Sequence, residues 1–162
     1  MAPVDRVLQR FLREIGLTNH DALTEHNLAP LVVRRQISAL GVIHRRVLGI
    51  SPKSITELLP MAEQNRPAYN TRLARHLHDK QLVDHATGRT TEMFRRSVFG
   101  YVGVYNRLPQ AIVGKKTVKE FQRQIQSTIV GLAKCGCDDL HDFLSVRQKT
   151  SDIDVFQRRF QL

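Results

Sequence analysis

Apolar residues recur along this chain at intervals of three and four, the period of a helix that buries one face. Val4, Val7, Leu8, Phe11, Leu12 and Ile15 form the first such set, and Gly16 closes it. Thr18, with Asp21 three residues on, predicts a capped start for a short helix Asn19–His26 whose Ala22 and Leu23 face inward. Asn27–Pro30 reads as a bend. The stretch Leu31–Gly49 then carries Val33, Ile37, Leu40, His44 and Val47 along one face. Pro30 suits the start of this long helix, because a first-turn position needs no N–H. Gly49 suits its end, where a left-handed residue is required.

Ser51–Pro60 offers one or two turns through Ile55, Leu58 and Leu59. From Met61 to Gly88 the periodicity fails, with one short strand at Gln81–Val83 as the only regular feature. Phe94, Val98, Tyr101, Val102 and Tyr105 restore helical spacing, and Asn106 and Pro109 end it. Gly100 and Gly103 in that stretch suit the close approach of a neighbouring helix. Thr117 with Glu120 predicts a capping box for a helix with Val118, Phe121, Ile125, Ile129 and Leu132 inward, ending around Cys135–Gly136. Asp138 suits the cap of a last short helix through Leu140, Phe143, Leu144 and Val146. The expected fold class is all-α: an irregular bundle of about five to seven helices with one long irregular loop at about 61–92. Residues 1–137 read as a single helical domain, and 138–162 as a short helical or flexible tail.

Charge changes this picture more than composition does. A chain of 162 residues fits one domain. Hydrophobic content of 41% and charged content of 25% are ordinary. The net charge of +10 is not ordinary, and it favours polyanionic partners. It is also uneven. Met1–Cys137 holds 21 Lys+Arg against 10 Asp+Glu, while Asp138–Leu162 holds 4 against 5. No apolar run approaches the length of a membrane span, and the charged N-terminal pattern is not a secretory signal. Cys135 and Cys137 are too close for an ordinary staple, so free thiols and an intracellular setting, nuclear or cytoplasmic, are expected.

Candidate chemistry is sparse. Neither phosphate-cradling glycine motif occurs. Asp138–Asp139, the only adjacent acidic pair, sits where capping carboxylates are favoured. His76, His78 and His85 with Cys135 and Cys137 form a poor zinc set, because C-x-C is the wrong spacing and the groups lie far apart. Solvated loop histidines are the simpler reading. His44, on an apolar helix face, reads as a hydrogen-bonded core residue rather than a ligand or base. No catalytic residue, cofactor or metal is expected.

The basic residues form pairs and clusters: Arg34, Arg35, Arg45 and Arg46 on the long helix, then Arg95, Arg96, Lys115, Lys116 and Lys119. Guanidinium forks suit phosphate oxygens, and such contacts give salt-dependent affinity without sequence information. The site expected to bind nucleic acid is therefore Arg34, Arg35, Arg45 and Arg46, supported by Arg95, Arg96, Lys115 and Lys116.

Asn27-Leu28-Ala29-Pro30, Arg34-Arg35, Leu40-Gly41 with His44, and Val104-Tyr105-Asn106-Arg107-Leu108-Pro109 carry a resemblance. Over about residues 4–137 the chain resembles the region downstream of the polymerase domain in non-LTR (LINE-type) retrotransposon reverse transcriptases. The resemblance implies a helical C-terminal extension whose catalytic residues lie elsewhere, and a fragment of a longer element. It implies RNA or DNA backbone as partner, with a reverse transcriptase polymerase domain as a further one. Two other readings stand beside it. One is a protein-interaction module docked on a polymerase domain, which would leave Phe11, Phe99, Tyr101 and Phe121 partly exposed. The other is a helix-turn-helix reader built on Asn19–His26 and the long helix, and it is the weaker because base-reading Asn or Gln partners are lacking.

Overall fold

The computed structural model describes residues 3–62, 78–85, 91–136 and Leu144. Those residues are all-α, with eight α-helices and one 3-10 turn. Helix α1 (Pro3–Glu14) ends at Gly16, whose φ of 73° is the left-handed conformation. Helix α2 (Asn19–Thr24) starts from a complete capping box. The Thr18 hydroxyl accepts from the Asp21 N–H at 3.1 Å, and the Asp21 carboxylate accepts from the Thr18 N–H at 3.3 Å. Helix α3 (Leu31–Val47) starts after Pro30 and stops before Gly49, with φ 75°. Helix α4 (Lys53–Leu58) follows a second proline, Pro52. Helix α8 (Val118–Lys134) is capped by the Thr117 hydroxyl, which accepts from the Glu120 N–H.

Between α4 and α8 the chain departs from its periodicity. The helix expected from Phe94 to Tyr105 is broken into α5 (Glu92–Arg96), a 3-10 turn (Val98–Tyr101) and α6 (Val102–Tyr105), before α7 (Gln110–Val113). The break is at Ser97. Its hydroxyl bonds the Phe94 carbonyl, and its backbone turns extended at ψ 171°. A serine that satisfies a helix carbonyl with its own side chain competes with continuation of the helix. The expected strand Gln81–Val83 is reduced to one antiparallel bridge, Met61 to Leu82. The rest of the expected loop, residues 63–77 and 86–90, lies outside the described residues, as does the tail apart from Leu144. Leu144 is fully buried in the same core as α3 and α8, beyond the boundary expected at 137.

Helices α3 and α8 pack on each other more extensively than any other pair. They run antiparallel: His44, near the end of α3, stacks on Phe121, near the start of α8, at 4.1 Å. Asn27, just before α3, is bonded by Gln126, farther along α8. Val33, Ile37, Leu40 and Ile43 from α3 meet Phe121, Ile125, Ile129 and Leu132 from α8. The 3-10 turn and α6 pack on α3, α7 packs on α8, and Tyr105, Leu108 and Val113 complete the core. Spacing predicts the α3 and α8 residues and Tyr105 inside; Leu108 and Val113 lie outside any periodic stripe. Gly41 permits the close approach: the Gln122 carboxamide lies where a side chain at that position would begin.

Candidate nucleic-acid interface

Helix α3 displays its cations in two rows, because residues eleven apart are nearly aligned on a helix. One row is Arg34 and Arg45, the other Arg35 and Arg46, each pair about 16 Å apart along the axis. Ser38 and Val42 lie between them and are exposed. Arg34, Arg35 and Arg45 are exposed, whereas Arg46 is half-buried. The Arg46 Nε donates to the Leu59 carbonyl at 2.9 Å and to the Thr56 carbonyl at 3.3 Å. It therefore ties α4 to α3. Arg45 makes a lighter bond of this kind, from Nε to the Ile50 carbonyl at 3.2 Å.

The supporting residues divide further. Lys116 is exposed at the start of α8. Lys115 is half-buried, and its carbonyl accepts from His44 Nε2 at 3.0 Å. Arg96 is exposed on α5, which packs against the 3-10 turn. The Arg95 side chain lies outside the described residues. Two cations absent from the expected site belong to the same surface. Lys119 and Arg123 are exposed on α8, four residues apart and so one above the other. Their spacing outside the apolar stripe was visible in the sequence. That α8 would place them beside α3 was not.

The histidines behave differently from each other. His44 is fully buried, as its apolar face predicts. A carbonyl can only accept, so His44 Nε2–H donates to Lys115, and Nδ1 accepts the Tyr105 hydroxyl at 2.9 Å. Burial holds its pKa below the ordinary 6.5, so the ring is neutral. Burial also pushes the Tyr105 hydroxyl far above its usual value, which keeps it a donor. His78 overturns the expectation of a solvated loop side chain. It is buried against Tyr105, accepts from the Lys80 N–H at Nδ1, and donates from Nε2 to the Tyr105 carbonyl at 3.1 Å. Asn106 holds the next residues, since its carboxamide donates to the Leu82 carbonyl at 2.8 Å and accepts from the Leu82 N–H at 3.0 Å. His44, Tyr105 and Asn106, three residues that carry the resemblance, thus join parts of the framework and leave the surface to the cations. Among the described residues no three His, Cys, Asp or Glu side chains gather as a metal site would require.

Phe121 is fully buried, contrary to the exposure that docking on a partner implied for it. Phe99 and Tyr101 are partly buried against the core. Phe11 alone of the four is half-exposed, at 50%. Among the described residues no helix is long and apolar enough to cross a membrane. No family model matches the chain, and no curated protein or solved structure is detectably similar to it.

Proposed function

We propose that this chain is a helical module that binds nucleic-acid backbone, without sequence preference and without chemistry of its own. In this reading it derives from the post-polymerase region of a non-LTR reverse transcriptase. The observation that supports it best is the pair of exposed cationic surfaces on α3 and α8, the two helices that pack together most closely. Arg34, Lys116, Lys119 and Arg123 extend into solvent there, where a phosphate oxygen would meet them at little desolvation cost. Each such contact releases counterions, so affinity must fall steeply with added salt. Fluorescence anisotropy with a labelled oligonucleotide tests this. Binding at about 50 mM salt that weakens about 50-fold or more by about 200 mM is expected. No binding at the lower salt overturns the reading.

One observation favours a second reading, docking on a protein. Val7 and Phe11, one turn apart on α1, and Ile15, just past its end, are 69%, 50% and 50% exposed. The neighbouring stripe, with Leu12 buried, faces the body. These side chains leave an apolar strip exposed along α1 and its end. If docking is the function, Phe11→Asp abolishes partner binding and leaves nucleic-acid affinity unchanged.

A further inference from the structure

The seam where α3 and α8 meet carries cations on both banks. At about 100° per residue, Arg34 and Arg45 lie within about 40° of Gly41, on the side that meets Gln122. Arg35 and Arg46 lie about 120° or more away and point elsewhere. On α8, Lys119 and Arg123 lie within about 100° of Gln122, on its solvent side. All four seam cations are exposed. Gln122 fills the floor between them over Gly41. Gln126 bonds Asn27 across one part of the pairing, and His44 bonds Lys115 beneath the other. The banks are close, because packed helix axes stand about 8–10 Å apart. Both pairs of cations therefore border the same seam.

Resting on the nucleic-acid reading above, we propose that this seam is a track for a single phosphodiester backbone. One strand lies along it, with Arg34 and Arg45 on one side and Lys119 and Arg123 on the other. The α3 bank spans about 16 Å, enough for a short run of consecutive phosphates. Gln122 and Ser38 offer neutral polar contact to the backbone between the charges. Arg35, Arg46 and Arg96, prominent in the sequence, take no part.

The test compares charge-matched variants of the full chain against a labelled 20-nucleotide oligo(dT) across a salt series. Arg34→Gln/Arg45→Gln and Lys119→Gln/Arg123→Gln each remove two charges from the track. Arg6→Gln/Arg13→Gln removes two exposed charges from α1, a helix that forms neither bank. Each seam pair is expected to weaken binding at least tenfold at about 50 mM salt and to lower the salt slope by about one to two. The α1 pair is expected to change affinity less than threefold. Equal losses from all three pairs overturn the track but leave backbone binding standing. A blunt duplex that binds with a larger slope, unaffected by the seam variants, also overturns it. Absence of wild-type binding to any probe instead removes the reading on which the track rests.

Discussion

Tyr105 illustrates what one side chain holds together here. Its hydroxyl donates to His44, its carbonyl accepts from His78, and its ring lies edge-on to His78 and tilted against Phe121. Removing the hydroxyl alone leaves the His44 Nδ1 buried without a donor, a loss of about 1–3 kcal/mol. Tyr105→Phe should therefore lower the urea midpoint without lowering helix content below the transition. The neutral His44 also makes stability depend on pH. Its folded pKa lies below the unfolded value of 6.5, so the unfolded chain binds the proton first as pH falls. The contribution is fully present above about pH 6.5 and is lost as pH drops from there through the lower folded value. Urea midpoints measured between pH 5 and 8 should be flat at the upper end and decline toward the lower. Asp21, held below 3.8 by its bonds to Thr18, titrates in a separate, more acidic window. Two arginines from the same cluster should separate cleanly by the same measurement. Arg46→Gln removes the bonds to Thr56 and Leu59 and should cost about 1–2 kcal/mol. Arg34→Gln should change stability by less than about 0.5 kcal/mol.

At the scale of elements, much of this fold was legible because its helix ends are local. Thr18 with Asp21, Pro30, Gly16, Gly49 and Thr117 each act on backbone within a turn of themselves, so spacing and residue type identified them. Gly49 gives a direct check. It stands at φ 75° with nothing near its missing side chain, so Gly49→Ala costs about 1 kcal/mol through backbone conformation alone. A loss of that size in thermal or urea unfolding, with no change in nucleic-acid binding, is expected. Of the elements that spacing misreads, one turns on a local competition for a backbone carbonyl and one on a distant partner. Phe94 to Tyr105 has a helical period, and it is the Ser97 hydroxyl closing on the Phe94 carbonyl that divides it. His78 looked like a polar loop residue because Tyr105, its acceptor, is 27 residues away.

For the whole molecule, the same contrast governs the candidate site. The sequence showed that α3 has an apolar face and a cationic one, but a cationic face spans rows that point in different directions. Which row matters depends on the side taken by α8, and Gly41 with Gln122 decides that. The antiparallel pairing places the first turns of α8 beside the last turns of α3, so Lys119 and Arg123 join Arg45 from far earlier in the chain, with Arg34 farther along the same row. A net charge of +10 favours polyanions in general. Position, and not charge alone, is what distinguishes Arg34 and Arg45 from Arg6 and Arg13.

The Asn106 clamp has one more consequence. The pairing of Met61 with Leu82 is made through bonds from Ala62 to Gln81 and from Val83 to Pro60, so the Leu82 N–H and carbonyl point away from their partner segment. A bare edge of that kind is a template on which another chain can add a strand. The Asn106 carboxamide fills both positions, mimicking one residue of the missing strand. Asn106→Leu, similar in size but unable to bond, should expose that template. Such a protein should form intermolecular β-structure on concentration, seen as thioflavin-T fluorescence, under conditions where the parent chain stays dispersed.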